Sequence, residues 1–344
     1  MSISQASIEQ PSPLAIFAAI QSYQRSFILK AAVDLDIFSA IGGGHHTASE
    51  IATACGASPR GTRILCDVLT AHGFLSKEGS KYSLTPDTAF FLDKRSPAYL
   101  GGALNFLLHP SQIQSMANFA EAVRKGGAPA GLSTLGAEDP VWEDFARGMA
   151  PLMKPQADAI ADLLQSRLAG KTSPKVLDIA AGHGTFGITV AQKVPTAKIY
   201  ALDWANVLRV AAENARTAGL GERHQVIPGD AFTVEFGSGY EAVLLTNFLH
   251  HFAPEENVKL MRKCFQAMNA GGTAVILEFV PNDDRVSPPI PANFSAVMLS
   301  TTPQGDAYTF PELSRMCRDA GFESMELVGL DPLPQSLVVA RKPS

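Results

Sequence analysis

Carboxylates recur at the ends of three successive apolar segments of this chain. The segments cover residues 176–179, 199–202 and 225–227, and the acids are Asp178, Asp203 and Asp230. Short apolar runs of this kind are typical of buried parallel strands. An acid at each of three strand ends is hard to obtain by chance and predicts a ligand site there, with capping of the following helices as the alternative interpretation.

A glycine-rich turn follows the first of these strands. Gly182, Gly184 and Gly187 form a G-x-G-x-x-G pattern that opens a predicted helix. Glycine lets the backbone approach a ligand closely, and the free N–H groups at a helix start offer donors. Such a turn is typical of nucleotide-binding folds, including those of the dinucleotide-dependent enzymes.

The position of Asp178 distinguishes between the ligands that such a turn can hold. A carboxylate four residues before the first glycine is unfavourable beside a pyrophosphate but favourable beside an ammonium and a sulfonium. S-adenosylmethionine (SAM) carries both cations and an adenosine without phosphate. Asp203 lies where a ribose contact is expected, and Asp230 with Phe232 suits the edge and face of an adenine. The sequence therefore predicts SAM as the cofactor.

Two adjacent histidines, His250 and His251, follow the fourth predicted strand, at the place where Rossmann-type folds have their active sites. A base would assist methyl transfer to a phenol, because a phenol has a pKa of about 10 and general-base catalysis contributes roughly 10²–10⁴-fold. Glu278 lies at the carboxyl end of the fifth predicted strand, 273–280, where a buried carboxylate needs a partner. We expect that partner to be His250, whose tautomer the carboxylate would fix.

With these motifs the chain resembles the class I SAM-dependent methyltransferases, specifically the small-molecule O-methyltransferases of plants and bacteria that include caffeate and acetylserotonin methyltransferases. The resemblance implies that SAM is converted to S-adenosylhomocysteine. The family's turn usually has glycines where this chain has Ala180 and Ala181, a mild departure because the residues stay small. The predicted cofactor-binding residues are Asp178, Ala180, Gly182, Gly184, Asp203, Trp204, Asp230, Ala231, Phe232 and Asn247.

The resemblance also implies that His250 is the general base and Glu278 the acid that orients it. His251 stands where the family has an aspartate. Plant members carry a second acid at the position of Ala307, with Asp306 beside it here, and a lysine at the position of Thr246. These departures leave open transfer to carbon, nitrogen or sulfur, and the use of SAM without methyl transfer, in a hydroxylation or rearrangement.

An apolar lining is predicted for the acceptor pocket, which favours a flat aromatic or polyketide-like hydroxyl compound. In the family, a helix matching 145–149 crosses above the active site, although its apolar stripe could equally be plain core. A second predicted helix within 287–302 would roof the pocket. No carboxylate cluster typical of Mg²⁺-dependent methylation is found, so no metal is expected. The predicted substrate-binding residues are Phe145, Met149, Met153, His251, Asn293 and Met298.

Composition indicates a soluble protein with a large core and more than one domain. The chain has 344 residues, 46% of them hydrophobic, and a net charge of −5. The apolar run 14–20 is too short to span a bilayer, and nothing reads as a signal peptide, so a cytoplasmic location without membrane partners is expected. The four cysteines lack C-x-x-C spacing and are interpreted as reduced structural residues.

The first 110 residues are predicted to form a winged-helix domain. A helical stretch over 12–41 precedes a capping box at Thr47–Glu50, a helix that starts at Ser58, and a two-stranded wing over 74–85. Eight basic and eight acidic residues in 1–110 cancel, which argues against duplex binding and hence against a DNA-binding regulator. The resemblance implies that this domain instead forms a homodimer.

The predicted architecture is α/β. Residues 1–110 form the winged-helix dimerisation domain, 111–170 the linker helices over the active site, with a flexible link at 125–131, and 171–344 the SAM-binding catalytic domain. A Rossmann-like sheet is expected to end in an antiparallel hairpin, 323–329 and 336–340, which dinucleotide dehydrogenases lack.

Overall fold

The computed structural model describes residues 11–131 and 140–344. The chain divides into two compact units, Met1–Gly101 and Gly102–Ser344. This division falls nine residues before the domain boundary expected at 110, and the three-part division of the chain stays a prediction.

The first unit has the predicted winged-helix arrangement. The capping box at Thr47 forms, with its side chain accepting from the Glu50 N–H, and Ser58 caps the following helix, which has Pro59 in its first turn. The wing is an antiparallel pair turned at Gly79. Its elements are α1 (Leu14–Asp34), α2 (Ile37–Gly42), α3 (Ala48–Ala54), α4 (Pro59–Ala71), β1 (Leu75–Glu78), β2 (Lys81–Leu84) and α5 (Pro86–Phe91).

The predicted helical stretch 12–41 is two helices rather than one. The chain leaves α1 after Asp34, and Asp36 adopts a left-handed conformation (φ 58°) that an aspartate tolerates better than most residues. Much of α1 is apolar and exposed: Leu14, Ile16, Phe17, Ile20, Tyr23 and Phe27 are each 44–74% accessible. An apolar surface of this extent is typical of an association interface.

Five helices open the second unit as far as the structure describes it. They are α6 (Ala103–Leu107), α7 (Pro110–Ala117), α8 (Phe119–Lys125), α9 (Pro140–Gly148) and α10 (Ala150–Leu168). The helical periodicity over 142–167 thus corresponds to two helices that meet at Met149. Within the predicted flexible link, the Ala128 N–H donates to the Thr302 carbonyl (2.8 Å), so this point of the chain is tethered.

The rest of the second unit alternates strands and helices. Two short 3₁₀ turns, Gly221–Arg223 and Leu249–His251, interrupt the alternation. Its elements are β3 (Lys175–Ile179), α11 (Thr185–Lys193), β4 (Lys198–Asp203), α12 (Ala205–Thr217), β5 (His224–Pro228), β6 (Tyr240–Thr246), α13 (Pro254–Ala267), β7 (Met268–Glu278), α14 (Pro289–Thr301), α15 (Phe310–Ala320), β8 (Glu323–Gly329) and β9 (Ser336–Arg341).

These strands form a seven-stranded sheet in the order β5-β4-β3-β6-β7-β9-β8. The first five in this order pair in parallel, and β9 runs antiparallel to both β7 and β8, which confirms the predicted fold with its closing hairpin. Buried apolar residues pack on both faces of the central strands. The strand order reverses beside β3, so a crevice is expected at the carboxyl ends of β3 and β6. Among the described helices, none has the length and apolar content needed to cross a bilayer.

Candidate active site

The turn after β3 holds its backbone in the left-handed region at three residues. Ala180 (φ 54°), Gly182 (φ 56°) and Gly184 (φ 74°) all have positive φ. Glycine adopts this conformation without cost, whereas alanine does not. Ala180 therefore differs from the family's glycine in the strain of its backbone, even though its side chain is small.

Asp178 lies beneath this turn and has no exposed surface. Its Oδ2 accepts the Gly187 N–H (3.0 Å), and a Cβ added to Gly187 would stand 2.9 Å from that oxygen and 2.5 Å from Ile199 Cγ2. Helix capping, the alternative interpretation, thus accounts for one oxygen. The other, Oδ1, is buried without a hydrogen-bond partner in the described structure, and a carboxylate with a free buried oxygen favours a nearby cation or donor.

Asp203 ties the glycine turn to the end of β4. Its Oδ2 accepts the Gly182 N–H (2.8 Å) and its Oδ1 accepts the Trp204 N–H (2.7 Å). Burial raises the pKa of Asp203 to about 6 and that of Asp178 to about 7, the charge of Asp203 adding to the second shift. A bound cation would favour the ionised form of both carboxyls.

The third predicted acid turns the chain after β5. Asp230 Oδ1 accepts the Phe232 N–H (3.0 Å), and the Phe232 ring meets Phe252 edge-on at 4.8 Å. Ala231 is buried, and its carbonyl accepts from Lys263 Nζ (3.2 Å). The segment is therefore fixed at the same edge of the sheet as Asp203.

His250 and Glu278 are brought together as expected. His250 Nδ1 lies 2.6 Å from Glu278 Oε2, and both side chains are buried. Glu278 Oε1 also accepts the N–H groups of Phe248 (3.1 Å) and His250 (3.3 Å). An Nδ1–H that donates to the carboxylate leaves Nε2 as the acceptor atom, and no described residue hydrogen-bonds to Nε2.

Aromatic rings surround the two histidines. Phe294 on α14 meets His250 edge-on at 4.8 Å and stacks on Phe279 at 4.1 Å, and Trp142 on α9 meets His251 edge-on at 5.6 Å. Desolvation, followed by the neighbouring His250, lowers the pKa of His251 well below its usual range. His251 is therefore neutral, and its buried Nδ1 is without a hydrogen-bond partner among the described residues.

Phe145 covers the glycine turn. Its ring stacks on His183 at 6.1 Å, and a Cβ added to Gly182 would contact it at 3.4 Å. Met149 and Met153 are buried close by in the chain, and Met153 Sδ accepts from Asn247 Nδ2 (3.6 Å). Thus Phe145 and Met153 contact residues of the predicted cofactor site, whereas Met149 packs in the core beside them.

The remaining predicted residues are less directly placed. Trp204 is half-buried and packs with Trp142 against α12. On α14, Met298 is buried, whereas Asn293 is exposed and its side chain hydrogen-bonds to no described residue. Thr246 is buried with its hydroxyl unpartnered among the described residues.

The segment that carries the second acid in plant members reaches His250 through its backbone. Ala307 is buried, and Asp306 instead accepts from Arg285 Nη1 (3.3 Å). A Cβ added to Gly305 would stand 2.2 Å from the His250 carbonyl oxygen. Asp306 is thus held by Arg285, and Gly305 packs directly on the turn that carries His250.

Sequence reasoning missed three residues that belong to this geometry. His183 is the variable residue inside the G-x-G motif, and its burial lowers its pKa to about 4. Gly305 and Gln335 contact His250 and Asn247 across long stretches of sequence. His183 could have been found from the sequence because it stands between Gly182 and Gly184 of the glycine motif, whereas no local pattern connects Gly305 with His250 or Gln335 with Asn247. In the part of the chain that the structure describes, no group of His, Cys, Asp or Glu is arranged to hold a metal ion.

Comparison with known proteins gives matches over most of the chain. Residues 123–323 match the family model of the O-methyltransferase domain, and residues 17–94 that of the O-methyltransferase dimerisation domain. A crystal structure from Nostoc punctiforme PCC 73102, described as a candidate O-methyltransferase, is 45% identical with a TM-score of 0.91, covering 97% of this chain and 100% of that one.

Two curated proteins are similar along almost their whole length. The 3-hydroxy-5-methyl-1-naphthoate 3-O-methyltransferase of Streptomyces sahachiroi is 29% identical, over 87% of this chain and 86% of that protein. The tetracenomycin polyketide synthesis 8-O-methyl transferase TcmO of Streptomyces glaucescens is 26% identical, over 95% of this chain and 96% of that protein.

Proposed function

The chain belongs to the O-methyltransferase family, and from this premise we propose that it methylates a hydroxyl group of a small aromatic or polyketide-like acceptor, with His250 as general base. Family membership makes it a SAM-dependent O-methyltransferase, as the sequence motifs predicted. The observation that carries the proposed mechanism is the 2.6 Å contact between His250 Nδ1 and Glu278 Oε2.

The residues around the glycine turn fit the cofactor. Bound SAM supplies an electrophilic methyl group on a sulfonium and becomes S-adenosylhomocysteine. Asp203 offers a carboxylate to the ribose hydroxyls of the ligand. Asp178 is buried beneath the turn, so it acts on a cationic ligand through its negative charge and through the Gly187 N–H that it accepts. Asp230, Ala231 and Phe232 lie at the same sheet edge for the adenine.

Positioning and proton removal are the tasks left to the protein. Glu278 keeps the proton of His250 on Nδ1, so Nε2 is free to take the proton of the acceptor hydroxyl as the oxygen attacks. The rings of Phe279, Phe294 and Trp142 line the approach with apolar surface, which suits a flat aromatic acceptor. The Streptomyces sahachiroi relative acts, by its name, on a naphthoate hydroxyl.

His250→Ala tests the base. We expect kcat to fall roughly 10²–10⁴-fold while the Kd for SAM, measured by calorimetry, stays within twofold. His72→Ala is the matched control, since this exposed histidine lies in the first unit. Unchanged turnover in His250→Ala, with SAM binding intact, would remove the base role and favour transfer to carbon, nitrogen or sulfur.

A second candidate function, use of SAM without methyl transfer, is favoured by the buried Ala307 at the position of the second family acid. S-adenosylhomocysteine formation distinguishes the two. A transferase releases one molecule of it for each molecule of methylated product, so a product formed without it supports the second candidate.

We also propose that the chain is a homodimer assembled through α1, since a dimerisation domain matches residues 17–94. The exposed apolar residues of α1 supply the surface, and burying it on a second copy is favourable by about 25 cal/mol per Å². Phe17→Asp combined with Ile20→Asp should give a monomer in light scattering after size exclusion. A dimer that persists in this variant would place the interface elsewhere.

A further inference from the structure

Three side-chain amides form a continuous chain that ends at the predicted cofactor site. Gln156 Nε2 on α10 donates to Gln335 Oε1 (2.8 Å), and Gln335 Nε2 donates to Asn247 Oδ1 (3.2 Å). Asn247 Nδ2 then faces Met153 Sδ at 3.6 Å. Each amide donates to the next, so the chain has one direction and sets which end of the Asn247 amide faces Met153.

Burial makes this arrangement costly to break. Gln156 and Gln335 are 3% and 2% exposed, and a buried amide that loses its partner loses the compensation for its dehydration. The row of hydrogen-bonded amides also joins parts of the fold that are distant in sequence, because Gln335 directly precedes β9 and lies 88 residues from Asn247. An apolar residue at position 156 or 335 would be buried at a lower free-energy cost than an amide, so stability alone does not explain the two glutamines.

The backbone of Asn247 is fixed independently of its side chain. Asn247 follows β6 with a left-handed backbone (φ 52°), and its N–H donates to the Leu277 carbonyl (2.8 Å). Its side-chain nitrogen carries two hydrogens, and the contact with Met153 uses one. The other hydrogen is available as a donor at the carboxyl end of β6, three residues before His250.

We propose that Gln335 is a positioning residue for the cofactor, acting through Asn247. Gln335 occupies Oδ1 of Asn247 and so keeps the Nδ2 donor turned toward an acceptor atom of SAM; Gln156 in turn orients Gln335. The inference rests on the proposed function, with SAM as cofactor, and on the prediction from the sequence that Asn247 contacts SAM. Without Gln335 the Asn247 amide is free to rotate and to present its oxygen instead.

A double-mutant cycle on SAM affinity tests this role. Gln335→Met keeps the shape of the side chain and removes both hydrogen bonds, and we expect it to raise the Kd for SAM about tenfold. Asn247→Gly removes the side chain while accepting the left-handed backbone. If Gln335 acts through Asn247, adding Gln335→Met to Asn247→Gly changes the Kd by less than about twofold.

Calorimetric titration of the full chain with SAM supplies the readout, and thermal melting shows that each variant is folded. Gln165→Met is the control, because it makes the same substitution at an exposed glutamine on α10 whose amide donates to the Lys193 carbonyl. Effects on the Kd that multiply in the double variant would overturn the proposal, as would a Gln335→Met variant that binds SAM like the wild type. The titration needs no acceptor, so failure of the proposed acceptor or base does not affect it.

Discussion

Glu278 holds the side chain and the backbone of His250 at once: one carboxylate oxygen lies 2.6 Å from Nδ1 and the other accepts the backbone N–H at 3.3 Å. Both oxygens therefore face donors. The direction of the imidazole and the place of its proton are set by a single side chain at the end of β7.

Glu278→Gln should break this arrangement while keeping its shape. A glutamine offers one oxygen and one NH₂ group, so one of the two sites meets a donor in place of an acceptor. If the NH₂ group faces Nδ1, the proton of His250 moves to Nε2, which can then no longer act as the proposed base. We expect kcat to fall about 10²-fold or more with the Kd for SAM unchanged. Glu326→Gln on exposed β8 is the control, and a kcat within twofold of wild type would contradict the role of Glu278.

Gly305→Ala should displace the turn that carries His250. The added Cβ would stand 2.2 Å from the His250 carbonyl oxygen and 2.5 Å from Thr302 Oγ1, well inside contact distance. We expect kcat to fall by at least tenfold and the protein to lose about 1–3 kcal/mol of stability in urea unfolding. Gly329→Ala provides the comparison, because nothing lies within 4 Å of a Cβ there. Equal behaviour of the two variants would show that the His250 turn tolerates the displacement.

Ala180→Gly should stabilise the fold. The left-handed backbone at Ala180 costs an alanine about 1–2 kcal/mol, and part of the gain is offset because glycine loses more freedom on folding. We expect a net gain of about 0.5–1 kcal/mol in the free energy of unfolding by urea titration. Ala181→Gly, at a buried neighbour without positive φ, should instead destabilise the protein. A loss of stability in both variants would refute the assignment of strain to Ala180.

Asp178→Asn should change how stability depends on pH. Folding raises the pKa of Asp178 from 3.8 to about 7, so the folded protein binds the proton more tightly than the unfolded chain does. The stability that this proton contributes is fully present below pH 3.8 and is lost as the pH rises through about 7. The wild type should therefore lose up to about 4 kcal/mol relative to Asp178→Asn across that window. His183, whose pKa is lowered to about 4, gives the opposite slope and is common to both proteins, so it cancels in the difference.

Urea unfolding of both proteins without ligand at several pH values between 4 and 8 measures this difference. A difference in stability that does not change with pH would mean that Asp178 titrates near its ordinary pKa when folded.

Local patterns predicted much of the fold and part of the site. The capping residues Thr47 and Ser58 act through neighbours in sequence, so their helices were predictable. The pair His250 and Glu278 was predictable because both lie at strand ends, and a buried carboxylate in a strand requires a partner.

Other features depend on packing that no local pattern encodes. The left-handed backbone at Asp36 and Ala180 follows from how the flanking elements pack, and the same residue types occur within helices. Gly305 faces the His250 carbonyl and Gln335 faces Asn247 across 55 and 88 residues of sequence. The inward orientation of Asp178 was also missed, because capping and ligand contact place an acid at the same position in the sequence.

Asp203 is already held by two backbone N–H groups, those of Gly182 and Trp204, before any ligand arrives. The Asp203 side chain therefore loses its rotamer entropy when the protein folds, so ordering this side chain adds no further entropic cost when a ligand binds. Each carboxylate oxygen keeps a second lone pair with which to accept a ribose hydroxyl. With Asp203 as the proposed ribose contact, preorganisation at this one residue would make the affinity for the cofactor depend on the intact glycine turn as much as on the carboxylate itself.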